Sequence, residues 1–378
     1  MRIAITLQSL DPTWGGIGIY TEQIVRHLLQ IDQSNEYVLI YPGFGAARSR
    51  LGQFQRKYDN VTEVETSSSR LPIGTYWDQV IVPPVAKAHR PDLLFNPFWS
   101  VPMRGDYKKV IIMHAVELHT MPSTFDLRQR LQWLLRDFVL TRAVDTIISI
   151  SHLMARDLIT YLKLPPEKIR TIYHGVGEHF QIVKDEARLA YARSEYRLPD
   201  RFILFVGFLY PQKNFGSLLR AFHKIAGQIP HDLVVAGRPR WKFQEELVLM
   251  EQLGLKDRVR FLYFVAHDEL PLIYNLADCF VCPSFYEAFG LAGVEAMACG
   301  CPVAASNAAA LPEVLGDAAL LFDPHDPDAI ADALLTLLND QEVRRSYIDK
   351  GLVRARRYSW DRCARETLQL FDALVAGR

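Results

Sequence analysis

From Arg2 to Leu321 the chain alternates short β-branched or apolar runs with longer amphipathic stretches, and it does so in two successive series. Strand-like runs fall at 2–7, 37–41, 92–95, 109–113 and 145–150, then at 201–206, 232–236, 258–262, 278–282, 302–304 and 319–321. Helical periodicity falls at 17–30, 127–142, 152–161, 215–227, 241–252, 291–299, 327–338 and 342–356. Alternation of this kind predicts an α/β fold with parallel sheets. At 378 residues the chain exceeds one ordinary core, so each series is expected to form its own doubly wound domain. The expected boundaries are 1–180, a polar linker at 181–200, and 201–357, with Tyr358-Ser359-Trp360 opening a final helix that runs to the C-terminus. Two such domains are expected to face each other across a cleft, where open sheets place ligands beyond their strand C-termini.

Composition excludes several classes. Apolar residues make up 49%, so disorder is not expected. Lys+Arg and Asp+Glu are both 43, which gives no whole-chain attraction to nucleic acid. No run reaches the roughly 18 apolar residues of a transmembrane helix. The N-terminus enters a strand-like run and is broken at Asp11-Pro12, so it reads as a first strand and not a signal peptide. The five cysteines are odd in number and lack a disulfide framework, which points to a reducing, cytoplasmic setting. Cys279 and Cys282 have CxxC spacing but lie in a strand-like run, where residues three apart face opposite ways. They read as structural thiols.

The segment from Ser284 to Val303 carries the strongest chemical signal. Glu287 and Glu295 lie eight positions apart across Phe289-Gly290-Leu291, a turn that opens a helix. Full helicity would separate them by roughly 12 Å, beyond the about 5 Å of a retaining glycosidase pair. The spacing suits two anchors on one extended ligand, with helix N-terminal amides between them for a negative centre. A nucleotide sugar has that shape.

Other candidates sit at strand ends. Gly15-Gly16-Ile17-Gly18 opens a helix after the first strand, where glycines permit close approach of a phosphate or serve a tight turn. The second strand ends in Tyr41-Pro42-Gly43 without the acidic residue of a dinucleotide-binding unit, and no Walker A lysine follows. Gly207 ends the first strand of the second series, and Lys213 precedes its helix, where a cation opposes the dipole unless an anion binds. Arg238 follows the next strand as a second candidate cation or a plain surface arginine. His114 follows the strand Val110–Met113 and could serve a sugar hydroxyl or act as acid or base. Asp326-Pro327-Asp328 reads as helix capping, and no spacing for zinc or calcium occurs, so no metal site is expected. The stretch 127–142 carries Arg128, Arg130, Arg136 and Arg142 among Leu131, Trp133, Leu134, Leu135, Phe138 and Leu140. Such a helix can lie on an anionic membrane, or its apolar residues can pack on the first sheet.

Taken together these residues resemble the family 4 retaining glycosyltransferases, whose GT-B fold joins two Rossmann-like domains. The likeness spans essentially the whole chain. It rests on Glu287 to Glu295 with the following Ala-Met-Ala-Cys-Gly-Cys-Pro-Val, on Pro211-Gln212-Lys213-Asn214, on Leu311-Pro312-Glu313-Val314, on His174-Gly175-Val176 and on Tyr358-Ser359-Trp360. The resemblance implies that helix 358–378 completes the N-terminal domain. It implies that Glu287 contacts the donor sugar and Glu295 the ribose, and that amides around Phe289, Gly290 and Leu291 hold sugar and phosphate. Lys213 would bind the diphosphate, with Gly15 and Gly16 approaching it from the other domain. His114 would meet the sugar's outer hydroxyls, and the base would lie by Phe264 and Val265. Transfer of glucose or mannose from a UDP- or GDP-hexose would retain configuration without metal or other cofactor. The acceptor would be a glycan or lipid-linked saccharide in surface polysaccharide synthesis, with a site of action in the cytoplasm or at the inner face of the membrane. Two positions depart from the family pattern. Phe208 stands where many relatives have an arginine, which leaves Arg238 as the candidate substitute. Ala115 stands where many have an aspartate beside the histidine. The competing readings are a sugar-nucleotide 2-epimerase, a phosphorylase-like enzyme needing a pyridoxal phosphate lysine and a longer chain, and an inactive glycan-binding scaffold.

Overall fold

The computed structural model describes residues 1–10, 15–43, 47, 50, 52–66, 76–120, 127–239 and 243–377. The Asp11-Pro12 break and the first two residues of the expected helix 241–252 lie outside the described residues, as do the side chains of Arg128, Leu135 and Arg136. The chain divides into two compact units, Met1–Gly175 with Trp360–Arg378, and Val176–Ser359.

The first unit contains β1 (Arg2–Thr6), α1 (Gly16–Ile31), β2 (Glu36–Tyr41), β3 (Val61–Glu65), α2 (Val82–His89), β4 (Leu93–Asn96), β5 (Lys108–Met113), α3 (Glu117–Thr120), α4 (Leu127–Ala143), β6 (Thr146–Ser149), α5 (His152–Leu162) and β7 (Ile169–Thr171). Its seven strands are parallel, in the order β3-β2-β1-β4-β5-β6-β7. Strands β4 and β6 are buried at every residue, and β1 and β5 at every residue but the first, as continuous apolar runs require when both sheet faces are covered. The C-terminal helix α14 (Trp360–Ala376) belongs to this unit and packs on α1. Phe371 of α14 meets Phe95 of β4 with ring centroids 5.2 Å apart.

The second unit begins with α6 (Glu186–Glu195) and β8 (Phe202–Val206), followed by α7 (Phe215–Ile225), β9 (Asp232–Ala236), α8 (Gln244–Gln252), β10 (Val259–Phe261), α9 (Leu270–Leu276), β11 (Cys279–Cys282), α10 (Leu291–Ala298), β12 (Val303–Ser306), α11 (Leu311–Leu315), β13 (Ala319–Phe322), α12 (Pro327–Asn339) and α13 (Gln341–Ala355). Its parallel order is β10-β9-β8-β11-β12-β13. Helix α7 buries Phe215, Leu218, Leu219, Phe222 and Ile225, a single 3.6-period face, against this sheet. Each such side chain contributes roughly 1.5–3 kcal/mol on burial. The stretch 181–200, expected as a linker, carries α6, which packs on α9 within the second unit. Asp326 caps α12 by accepting from the Asp328 amide at 2.8 Å, the capping role expected for that motif.

Both sheets reverse their winding direction beside the first strand, between β1 and β4 and between β8 and β11. The crevice outside the strand C-termini at such a reversal is where open α/β sheets bind ligands. Edge strands β3 and β7 were not expected from the sequence. Strand β7 has three residues, and both strands carry exposed or partly exposed residues.

Candidate active site

In the second unit, the loops after β8, β9 and β11 meet at the winding reversal. Gly207 follows β8 with φ 139°, and its amide donates to the Ala236 carbonyl at 3.0 Å. The facing Gly237 admits no side chain: a Cβ there would stand 1.8 Å from the Gly207 carbonyl oxygen. The two loops run on side by side, with the Leu209 amide donating to the Arg238 carbonyl at 3.0 Å. Asn214, in the left-handed conformation, then ties the start of α7 to the neighbouring loops. Its side-chain amide donates to the carbonyls of Pro283 (2.9 Å) and Pro324 (2.7 Å).

This framework brings Lys213 and Glu287 together from 74 residues apart. Lys213 Nζ donates to Glu287 Oε1 at 2.5 Å, and both side chains are mostly buried. Ser284 Oγ donates to the same carboxylate oxygen at 2.7 Å. Burial disfavours the lysine's charge, but the Glu287 carboxylate outweighs it and the pKa ends above the ordinary lysine value. The ammonium is therefore charged throughout the neutral range.

Glu287 lies in the loop before α10, and Glu295 lies within that helix. Gly290 separates them at φ 91°, and a Cβ there would meet Leu311 Cδ2 at 2.5 Å. The glycine cap leaves α10 without a side-chain cap, and no carboxylate occupies its first turn. Its opening amides at Leu291 and Ala292 thus present a partial positive end. Phe289 is buried and meets Tyr358 edge-on at 5.5 Å, so its contribution to a ligand would come from its backbone. Glu295 is also buried. Its Oε2 accepts from the Tyr274 hydroxyl at 3.2 Å, and His267 Nε2 stands 3.5 Å from Oε1. Neither acid points into an apolar interior.

Arg238 and Phe264 form a separate pair, with the guanidinium carbon 4.8 Å from the centroid of an exposed ring. Val265 follows in the same loop, half-buried, after Tyr263 at φ 54°. Arg238 is thus placed with the residues expected beside the base. Phe208 is half-buried directly after Gly207.

In the first unit, Gly15 precedes α1 with φ 59°, while nothing lies within 4 Å of a Cβ built on Gly16. His114 follows β5 and is buried. Its Nε2 contacts the Pro97 carbonyl oxygen at 3.2 Å. Its ring lies 5.1 Å from Tyr20 and 5.6 Å from His174, and Trp360 of α14 closes the cluster 5.6 Å from Tyr20. Burial lowers its pKa to about 4, only partly opposed by the Pro97 carbonyl. His114 is neutral at pH 7; with Nε2–H donated to Pro97, Nδ1 carries the lone pair. It can accept a hydroxyl hydrogen bond, but it is not a charged acid.

All five cysteines are buried and unbridged. Burial raises the thiols of Cys279 and Cys282 to about 12, so they are inert at neutral pH. Among the described residues no three His, Cys, Asp or Glu side chains gather as a metal site.

Sequence reasoning did not single out Ser284, Asn214, Tyr274 or His267. Ser284 and Asn214 stand inside motifs that it quoted, so their types were visible. Asn214's partners lie in other loops, while Ser284's partner Glu287 is three residues on in the same loop, a contact that residue type alone does not reveal. Tyr274 and His267 carried no motif signal.

Two family models match the chain in succession. Glycosyltransferase Family 4 covers residues 14–179, and Glycosyl transferases group 1 covers residues 192–353. The chain belongs to the group 1 glycosyltransferases. The O-antigen chain mannosyltransferase B of Escherichia coli is 27% identical over 99% of this chain and 100% of its own length. A serotype-specific mannosyltransferase of Escherichia coli is 31% identical over 61% of this chain, which spans only 29% of that relative. Among solved structures, the sucrose-phosphate synthase of Thermosynechococcus elongatus superposes with TM-score 0.80 at 22% identity, covering 100% of both chains. Anabaena Alr3699/HepE, solved in complex with UDP and glucose, gives TM-score 0.75 at 19% identity, over 99% of this chain and 100% of that one. These likenesses place the glycosyltransferase in the GT-B fold. The epimerase, phosphorylase and inactive-scaffold readings give way to a hexosyltransferase of the EC 2.4 class.

Proposed function

We propose that this glycosyltransferase moves mannose from GDP-mannose to a growing glycan or lipid-linked saccharide in surface polysaccharide synthesis, with retention and without a metal. The Lys213–Glu287 pair at the winding reversal carries this reading. A diphosphate there would share the ammonium with Glu287, while the α10 amides supply further positive potential. The end-to-end likeness to a protein named as an O-antigen mannosyltransferase favours mannose and its guanosine carrier over UDP-glucose.

The chemistry asks little of side chains as acids. The bond from the sugar's anomeric carbon to the diphosphate oxygen breaks, and a bond to the acceptor oxygen forms on the same face. The acceptor proton passes to the departing phosphate oxygen. Lys213 balances the charge left on the diphosphate, and Glu287 and the α10 amides orient sugar and phosphate. Glu295 would take the ribose hydroxyls by exchanging its Tyr274 contact. Arg238 and Phe264 would flank the base, so the cation missing at Phe208 is not restored at the phosphate. Gly15 and Gly16 would approach phosphate, and neutral His114 would accept from a sugar hydroxyl. A lipid-linked acceptor implies peripheral contact with a membrane; among the described residues no helix is long and apolar enough to cross one.

The test is transfer of radiolabelled mannose from GDP-mannose to a short mannoside primer, run with and without EDTA. Product formed equally in both supports the reading. Loss with EDTA that manganese restores would refute metal independence, and transfer from UDP-glucose in preference would overturn the donor.

A further inference from the structure

We infer that Asp78 is a positioning residue for His114, acting through the loop that follows β4. Asp78 lies in the helical turn Trp77–Ile81, which leads into α2. The Val82 amide there bonds the Trp77 carbonyl five residues back, a wide π turn of the kind frequently found at functional sites. Trp77 fixes this turn to the sheet. Its ring is buried, and Nε1–H donates to Thr66 Oγ1 at 3.0 Å, while the Thr66 hydroxyl donates to the Tyr41 carbonyl at 2.9 Å. From this base Asp78 and Gln79 grip the loop 96–103. Ser100 Oγ donates to Asp78 Oδ2, and Asn96 Nδ2 donates to the Ser100 carbonyl, which closes the loop on itself. Gln79 Nε2 donates to the Val101 carbonyl at 2.7 Å, and Gln79 Oε1 accepts from the Met103 amide at 2.9 Å. Pro97 lies inside the closed loop, and its carbonyl is the one that His114 Nε2 meets at 3.2 Å.

What the loop sets is the place of a proton. A neutral imidazole carries one N–H, and the nitrogen that keeps it is decided by the hydrogen bonds the ring makes. With the Pro97 carbonyl held against Nε2, that nitrogen keeps the proton and Nδ1 keeps the lone pair. A loop free to swing would let the two tautomers exchange. The carboxyl of Asp78 suits this task. It is fully buried, and burial pushes it up to about 7. Among the described residues the polar groups that act on it are Ser100 and Gln8, and no cation does. A buried acid without a cation is a poor choice for stability alone. Its ionised and protonated forms both offer an acceptor oxygen, so Ser100 stays held on either side of neutrality. The inference deepens the proposed role of His114 as acceptor of a sugar hydroxyl and rests on that reading for its catalytic use.

The experiment records the imidazole nitrogen resonances of the full chain, made with isotopically labelled histidine, at pH 7 and without ligand. The His114 pair is assigned by its loss in His114→Gln. In wild type the proton is expected on Nε2, with two well-separated nitrogen signals. In Asp78→Ala the two are expected to move toward each other as the tautomers exchange. Ser100→Ala, which removes only the donor, is expected to do the same, and it replaces Asp78→Ala should that variant unfold. Circular dichroism and the unfolding midpoint verify the fold of each. Asp78→Asn keeps an acceptor for Ser100 and is expected to restore the wild-type separation. A merely structural Asp78 would shift the unfolding midpoint and leave the nitrogen pattern unmoved. A proton on Nδ1 in wild type, wild-type signals in a folded Asp78→Ala or Ser100→Ala, or an asparagine variant that matches the alanine one would each overturn the inference. The sample holds no sugar nucleotide or acceptor. Its failure therefore leaves the mannose-transfer reading standing, and failure of mannose transfer leaves the nitrogen signals intact.

Discussion

The two units share a parallel doubly wound sheet and a winding reversal, yet they equip those reversals differently. The second unit buries a charge pair, Lys213 with Glu287, beside the uncapped start of α10. The first unit buries a neutral cluster of His114, His174, Tyr20 and Trp360 next to the glycine-started α1. Burial keeps His114 of the first neutral, whereas the Glu287 carboxylate keeps Lys213 of the second charged.

The sharpest way to break this contrast is Lys213→Ala. Removing the cation that meets developing negative charge is expected to lower kcat/KM by about 10²–10³-fold. A variant within threefold of wild type in steady-state transfer would show that the charge pair is structural. Two glycines sharpen the contrast next. Gly237→Ala drives a methyl into the Gly207 carbonyl and is expected to cost about 1–3 kcal/mol in urea unfolding. Gly16→Ala meets open space, so stability should hold while kcat/KM falls, because the added methyl would stand where phosphate approaches. Equal stability losses at both positions would contradict that division.

Acid should act on the first unit's buried cluster. His114 titrates near 4 in the folded chain, against about 6.5 when unfolded. The unfolded chain therefore takes up the proton first. The stability is fully present above about pH 6.5 and is lost as pH falls toward 4. From pH 7 to pH 5 the loss is expected to be about 2 kcal/mol, and His174, lowered by burial and by His114, adds to it in the same direction. Lys213 is raised and stays charged across this window, so it contributes no slope. Urea unfolding of His114→Gln at both pH values should show a shallower dependence than wild type, and parallel curves would sink the assignment.

Much of this was legible in the sequence. The central strands announced themselves because burial on both faces demands unbroken apolar runs, as in Phe202–Val206. The edges did not. Strand β3, Val-Thr-Glu-Val-Glu, carries two acids, and β7 is three residues long. Helix α6 was hidden because it buries little beyond Ala192 and so lacks an apolar face. Within the site, Lys213, Gly207, Gly290 and both glutamates were readable from residue type and position. The Lys213 contact to Glu287 was not, since it depends on two loops converging, and the Ser284 contact depends on how one of those loops turns. Nor was the neutrality of His114, which comes from rings supplied by α1, the end of the first unit and α14. The sequence of 127–142 left open which apolar residues pack on the first unit; Leu140 is buried, whereas Leu127, Leu131, Leu134 and Phe138 are exposed.

The central claim is that Lys213 neutralises a nucleotide's diphosphate in the second unit. Calorimetry with GDP and with GMP, on wild type and Lys213→Ala, tests it most directly. GDP affinity should fall by about 1.5–3 kcal/mol in the variant, the scale of a hydrogen bond to a charged group, while GMP, which lacks the second phosphate, should change far less. Equal GDP affinity for the two proteins would contradict it.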